Sequence, residues 1–164
     1  MQYENIFSFN VKWNYRTVSL FLFLLLLPNF LGLINLPTVF GFKIHFFQLI
    51  VFLAALIYGP SGGLLSGITG SFYSALIMHN TYIIGCNAIL GFFAGLFIRY
   101  GFKTVIAVWL AFLIQLPWLI ITDYYLVHLS IVFIKALVIA LAISNTIWAI
   151  AAHYAAKPIK ELLS

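Results

Sequence analysis

The sequence predicts an all-α, polytopic membrane protein: a bundle of six transmembrane helices with both termini in the cytoplasm. Of its 164 residues, 65% are hydrophobic and only 7% are charged, and the mean hydropathy is +1.14. Soluble domains carry about a quarter charged residues, so this chain has too little polar surface to cover a water-soluble particle. A helical crossing needs about 20 mainly apolar residues, and the apolar stretches follow one another without a soluble insert.

The predicted organisation is one membrane domain, residues 17–156, between an interfacial segment, 1–16, and a cytoplasmic tail, 157–164. The first apolar stretch follows basic residues as a signal peptide would, but bulky residues around Pro28 replace a cleavage site. We therefore expect a retained helix that Pro28 kinks. Pro158 is expected to end any helix in the tail. The six spans are predicted at residues 17–36, 44–58, 62–78, 82–99, 104–122 and 129–154.

A turn and a stripe of small residues organise the middle of the chain. The sequence Gly-Pro-Ser-Gly at 59–62 predicts a turn, because proline fixes φ and glycine tolerates positive φ. Small residues then recur at every fourth position on one face of the third span, where they let a neighbouring backbone approach closely. We expect this span to be packed centrally. It also supplies the predicted partner-docking residues, Gly63, Gly67 and Ser71.

The basic residues predict the orientation. With six spans both termini lie on one side, and six of the eight Lys and Arg residues fall there, at 12, 16, 99, 103, 157 and 160. Only Lys43 and Lys135 fall on the other side, so the positive-inside rule assigns the termini to the cytoplasm. This distribution also explains the net charge of +5 without nucleic-acid binding, because the cations flank apolar stretches that aromatic residues fill. We expect a multi-pass protein of the plasma membrane that contacts lipid and binds no nucleic acid.

Polar side chains gather in the part of the chain assigned to the outer leaflet. Polar groups are costly in hydrocarbon unless they are satisfied, so the cluster predicts a cavity that opens outward. The expected ligand is a small water-soluble micronutrient, and an aromatic heterocycle is one candidate because Trp118 and Tyr124 could form a stacking wall as the second interpretation of these residues. The first interpretation of these two residues is an interfacial aromatic belt. The candidate substrate-binding residues are Lys43, His45, Gln48, His79, Asn80, Asn87, Gln115, Trp118, Asp123, Tyr124, His128 and Lys135.

Lys135 is the most informative of these residues, because a buried ammonium needs a counter-charge or must reach water. Asp123 is the only acid outside the terminal segments. We expect a Lys135–Asp123 pair that faces the cavity, with snorkelling of Lys135 to the headgroups as the alternative. No histidine has a second one at helical spacing, and Cys86 is the single cysteine. We therefore expect no metal site and no cofactor.

One serine raises an enzymatic alternative. The turn at 59–62 matches the Gly-x-Ser-Gly signature of rhomboid-type intramembrane proteases, with Ser61 as nucleophile and His153 on the same side of the membrane. Nothing resembles rhomboid's remaining catalytic elements, and a Ser61 that caps the third span explains the residue more simply. No nucleotide-binding loop occurs either. The chain is expected not to be an enzyme.

With these residues in view, the chain resembles the substrate-binding S components of energy-coupling factor (ECF) transporters, from residue 17 to the end of the sixth span. The resemblance implies that the protein captures a vitamin-like micronutrient from the outer face, with the loop after the first span as a lid. It also implies delivery through a transmembrane coupling protein driven by two ATPase subunits. Size and topology are similar to the rod-shape protein MreD as well, so a scaffold in an envelope or cell-shape complex is the alternative function. The patterns that carry the ECF resemblance are Leu56-x-Tyr58-Gly59-Pro60-x-x-Gly63, the glycine-rich third span and Gly91-x-x-x-Gly95.

Overall fold

The computed structural model describes residues 6–31, 35–37 and 43–163, with side chains for 6–31 and 46–163. This part of the chain is helical almost throughout, which confirms the predicted helical class. The exception is a short antiparallel ribbon in the predicted first outer loop, where Asn35 pairs with His45. The elements in chain order are α1 (Tyr15–Leu31), β1 (Asn35–Pro37), β2 (Lys43–His45), α2 (Phe47–Tyr58), α3 (Pro60–Gly70), α4 (Phe72–Ile77), α5 (Tyr82–Arg99), α6 (Thr104–Ile121), a π-helical segment (Thr122–Leu126) and α7 (Ile131–Leu163).

Three of the described helices are long and apolar enough to cross a membrane: α5, α6 with its π-helical extension, and α7. Helices α1 and α2 are also apolar, but they have only 17 and 12 residues. A straight crossing takes about 20 residues, so these two helices fall short of it on their own. The helix lengths are therefore those of a membrane protein with at least these three candidate spans.

Helix α2 lies at the centre of the described bundle. Every residue from Ile50 to Tyr58 is buried, and the chain turns directly from Tyr58 into α3 through Gly59 at φ 79°. The Tyr58 hydroxyl donates to the Thr17 carbonyl at 2.6 Å, which ties the end of α2 to the start of α1. A uniformly apolar helix is expected to be buried on all sides. Its apolar character on all faces therefore agrees with this central place.

Helices α3 and α5 meet backbone to backbone. A Cβ added to Gly63 would lie 2.1 Å from the carbonyl oxygen of Gly91, and one added to Gly67 would lie 2.3 Å from that of Asn87. The predicted close approach at the small-residue stripe is therefore confirmed. The prediction that Gly63, Gly67 and Ser71 dock a partner is wrong, because α5 already covers the glycines and Ser71 is fully buried.

The predicted third span is divided in two. Helix α3 ends at Gly70 and α4 begins at Phe72, with Ser71 between them. The ring of Pro28 in α1 packs against Gly70, where an added Cβ would come within 2.5 Å of the proline Cβ. The Ser71 hydroxyl donates to the Gly67 carbonyl at 2.6 Å, a side-chain bond of the kind that bends helices.

Arg99 closes the opposite end of α5. Its guanidinium donates to the carbonyl oxygens of Ile6, at 3.0 Å, and of Ser8, so it holds the segment before α1 against this end of the bundle. At the same end, Thr104 at the start of α6 and His153 near the end of α7 are hydrogen-bonded at 2.9 Å. These bonds bring the segment before α1, the end of α5, the start of α6 and the end of α7 to the same end of the bundle.

Helix α7 continues through Pro158 to Leu163, so the expectation that Pro158 ends the helix is wrong. Proline removes one intrahelical hydrogen bond, to the carbonyl four residues earlier. That carbonyl belongs to Tyr154, which is 74% exposed, so solvent can satisfy it. The missing bond is therefore tolerated in the last turns of the helix.

Candidate functional site

A cavity of about 100 Å³ lies at the end of the bundle where α4 ends and α5 begins. The end of α6, the π-helical segment, the first three turns of α7 and the start of α2 complete its wall. Most of this wall is apolar, as is usual for small-molecule sites. Its polar members come from α4, α5, α6 and the adjoining turns: Ser74, Asn80, Cys86, Asn87, Gln115, Thr122 and Asp123.

Four of the predicted substrate-binding residues meet in this wall, namely Asn80, Asn87, Gln115 and Asp123. The chain separates Asn80 from Asp123 by 43 residues. The helical connections nevertheless bring the two to the same end of the bundle. Each of the four side chains is at least 94% buried. The structure thus gathers part of the predicted cluster around one enclosed space.

Asp123 lies in a π-helical turn, which is wider than a turn of α-helix. The π-helical segment Thr122–Leu126 inserts an extra residue per turn at the end of α6, a feature that often occurs at functional sites. The Asp123 carboxylate accepts a hydrogen bond from the Asn80 amide nitrogen at 2.9 Å. Its backbone carbonyl accepts from the Leu129 N–H at 2.9 Å, which fixes the link to α7. Asn80 is itself positioned, since its amide oxygen accepts from the Tyr82 N–H at 3.1 Å.

Gln115 presents an unsatisfied acceptor. Its amide nitrogen donates to the Cys86 carbonyl at 3.0 Å and lies 3.1 Å from the Cys86 sulfur. Its amide oxygen is buried and has no hydrogen-bond partner. A buried acceptor without a partner costs free energy and calls for a bound water or ligand. Gln115 is therefore the wall residue that most directly indicates an occupant.

Asn87 supports the wall from the α3 side. Its amide nitrogen donates to the Ser71 hydroxyl at 2.9 Å, and that hydroxyl in turn donates to the Gly67 carbonyl. The chain of bonds joins α5 to the break between α3 and α4. It fixes the position of Asn87 relative to the backbone contact of these helices.

The predicted Lys135–Asp123 pair is wrong. Lys135 is exposed, and no ion pair joins it to Asp123, whose side chain bonds to Asn80 instead. Lys135 follows the fully buried Ile134 by one position, so it points about 100° away around α7. The helix rotation thus turns the ammonium outward, which agrees with the snorkelling alternative.

Gln48 also lies outside the cavity wall. It is 1% exposed, and its amide oxygen accepts a hydrogen bond from the Ser144 hydroxyl at 2.6 Å. This pair links α2 to α7 within the bundle. Gln48 is therefore satisfied by the fold and is removed from the candidate ligand contacts.

The aromatic and histidine candidates lie at the surface. Trp118 is 40% exposed and donates to the Tyr82 carbonyl at 3.1 Å, with its ring over Gly85. Tyr124 is 44% exposed. These positions fit the belt interpretation rather than a stacking wall inside the cavity.

His79 and His128 are exposed turn residues with positive φ, 50° and 60°, and neither lines the cavity. The side chains of the two remaining candidates, Lys43 and His45, lie outside the described residues.

The serine-protease alternative finds no support in the geometry. The Ser61 hydroxyl donates to the Phe7 carbonyl at 2.7 Å, whereas His153 is bonded to Thr104. The two residues of the supposed dyad therefore serve different structural contacts. Within the described part of the chain, no group of three His, Cys, Asp or Glu residues converges as a metal site would require.

Three polar residues of the wall, Ser74, Cys86 and Thr122, were not among the binding residues predicted from the sequence. Cys86 is buried, with 8% exposure, and its carbonyl accepts the hydrogen bond that positions Gln115. Ser74 and Thr122 are single hydroxyls in apolar stretches. For Thr122, the adjacent Asp123 at the end of a predicted span could have indicated a polar turn. Ser74 had no such signal.

Comparisons with known proteins add no assignment. No protein-family model matches the chain, and neither a characterised protein nor a solved structure is significantly similar to it.

Proposed function

We propose that this protein is a membrane-embedded binding subunit that captures a small polar solute from the outer face of the plasma membrane. The observation that carries the proposal is the unpartnered Gln115 oxygen in a cavity whose wall also holds Asp123, Asn80 and Asn87. In an apolar bundle such groups are costly unless a ligand or water completes them. A purely structural helix packing would need no cavity with these polar groups in its wall.

The distribution of charge supports the outward orientation. The cavity lies at the start of α5, whereas Arg99 and Lys103 lie at the opposite end of the helices that line it. Six of the eight cations belong to that opposite end, which the positive-inside rule assigns to the cytoplasm. On this basis we propose six spans with both termini inside, and a cavity near the outer leaflet.

The more specific proposal is an S component of an ECF-type importer. It is supported by the resemblance of the turn at 59–62 and of the glycines in α3 and α5, which here serve the contact between these helices. Such a subunit would deliver its cargo to a transmembrane coupling protein and two ATPases. A cavity of about 100 Å³ is small beside the roughly 300–1,000 Å³ of common ligand sites, so the enclosed part of the cargo is small.

Ligand binding by the purified protein in nanodiscs tests the proposal. A panel of water-soluble micronutrients and their fragments is titrated, with intrinsic tryptophan fluorescence and calorimetry as readouts. We expect saturable binding of at least one compound, and a loss of about tenfold or more in affinity for Gln115→Met, which removes the free acceptor.

Asn145→Leu is the matched control, because Asn145 is an equally buried amide that does not line the cavity. It should leave the affinity unchanged. No saturable binding across the panel, or equal losses in both variants, would contradict the proposed binding function. Stable association with a shape-determining protein in place of any solute would favour the scaffold alternative.

A further inference from the structure

The cavity wall holds hydrogen-bond acceptors that the protein leaves unused. Each amide nitrogen in the wall already donates to the protein: Asn80 to Asp123, Asn87 to Ser71 and Gln115 to Cys86. The Gln115 oxygen, by contrast, has no partner. A carboxylate offers about four acceptor sites, and Asp123 uses one of them for a side-chain bond. A ligand that donates hydrogen bonds would therefore complete these unused acceptors.

The charge of Asp123 is also uncompensated within the described residues. The carboxylate is 6% exposed, and none of the cations whose side chains are described pairs with it. Lys135, the nearest cation in the sequence, is exposed on α7. A buried carboxyl in an apolar surrounding either takes up a proton or gains a positive partner, because its hydration is lost, and a cationic ligand would supply that partner.

We propose that the cavity selects a small organic cation that carries N–H groups, such as an ammonium or amidinium group. The Asp123 carboxylate would balance its charge and the Gln115 oxygen would accept a second hydrogen bond. The inference rests on the proposed binding function and specifies its ligand. A bare metal ion suits the wall less well, because Asp123 is the only acid there and hard metals require several oxygen ligands.

The volume limits the size of the group. Engineered apolar cavities of about 150 Å³ hold a benzene molecule, and this cavity measures about 100 Å³. A charged group of a few heavy atoms therefore fits the enclosed space. A planar amidinium adds a geometric advantage, since its two N–H groups can face both oxygens of one carboxylate.

Three isosteric probes test the sign of the charge directly: acetamidinium, acetamide and acetate. They have nearly the same shape and carry a positive, zero and negative charge, and each has a methyl signal for ligand-observed NMR. The full-length protein in nanodiscs is titrated with each probe to roughly 50 mM, because such small ligands bind weakly. We expect acetamidinium to bind about 30-fold or more tightly than either of the other two.

Asp123→Asn keeps the shape and the bond from Asn80 but removes the charge, so it should abolish the preference for acetamidinium. Glu161→Gln removes the same charge at an exposed position near the end of α7 and should leave the preference intact. Retention of the thermal unfolding midpoint by Asp123→Asn shows that the variant is folded. Preserved selectivity in a folded Asp123→Asn protein would overturn the inference.

Other outcomes separate the inference from the proposed function. Tighter binding of acetamide or acetate, with loss in Gln115→Met, would overturn the cation preference and leave a solute-binding cavity. Failure of all three probes, together with failure of the micronutrient panel, would overturn both. Failure of the three probes with success of a neutral or anionic micronutrient would overturn the cation preference alone.

Discussion

Asn80 shows how much one polar side chain does at this site. It is only 4% exposed, donates to the Asp123 carboxylate and accepts from the backbone at the start of α5. It thus holds the turn between α4 and α5 and orients the only acid in the wall. Because the two bonds use both ends of the amide, few other side chains could replace it.

We expect Asn80→Ala to destabilise the protein by about 1–3 kcal/mol, because it leaves the Asp123 carboxylate without its side-chain donor. Chemical or thermal unfolding in detergent measures the change. Thr81→Ala, at the exposed neighbouring position, should cost less than about 0.5 kcal/mol. Equal effects of the two substitutions would show that the Asn80–Asp123 bond contributes nothing to stability.

At the same scale, sequence reasoning identified polar residues but not the direction in which they point. Asn87, Gln115 and Asp123 were predicted correctly to meet, because polar groups in apolar spans converge on one another. Gln48 and Lys135 were placed in the same cluster, yet one bonds to Ser144 and the other is exposed. A rotation of 100° per residue separates these outcomes, and nearly uniform apolar helices give no periodicity from which to read it.

Among the helices, α3 and α5 form the tightest pair. Gly63 and Gly91 approach so closely that each glycine occupies the space that a Cβ of the other would need. Such small-residue contacts give van der Waals packing without a side-chain layer. The spacing of the glycines predicted a close backbone approach to α3, but it did not identify α5 as the partner. The break at Ser71 and the course of α7 through Pro158 depend on tertiary partners and solvent, which local patterns do not contain.

Gly63→Ala is expected to destabilise the protein by roughly 3 kcal/mol or more, because the new methyl group would lie 2.1 Å from the Gly91 carbonyl oxygen. Alanine by itself favours a helix over glycine by about 1 kcal/mol, so any loss must come from the contact. Unfolding in detergent measures it. Gly101→Ala has open space but φ 88°, and should lose only about 1–2 kcal/mol. A neutral or stabilising Gly63→Ala would contradict the described helix contact.

The two ends of the helical bundle carry different features. The cavity and the exposed His79 and His128 turns lie at one end, and Arg99 with the segment before α1 lies at the other. Composition predicted the helical class of the protein. The orientation that the charge count predicts stays a prediction. The depth and rotation of each helix required the three-dimensional contacts.

Thiol labelling in intact cells tests this orientation. We expect Ser130→Cys, in the exposed turn before α7, to react with a membrane-impermeant maleimide. Lys103→Cys, exposed before α6, should react only after permeabilisation, because the basic end faces the cytoplasm. The unsubstituted chain is the control, since its single Cys86 is 92% buried. Labelling of Lys103→Cys in intact cells would reverse the topology.

The backbone contact between α3 and α5 restricts how these two helices can move relative to each other. No side chains lie between the two backbones at this contact, so no change of side-chain rotamer can let the helices shift past each other. We therefore expect α3 and α5 to move together as one rigid block. Under the proposed binding function, we expect any widening of the cavity to come from movement of α6 and α7 relative to that block. Asn87 lies on the α3–α5 block, whereas Gln115 lies on α6 and Asp123 on the π-helical segment that follows it.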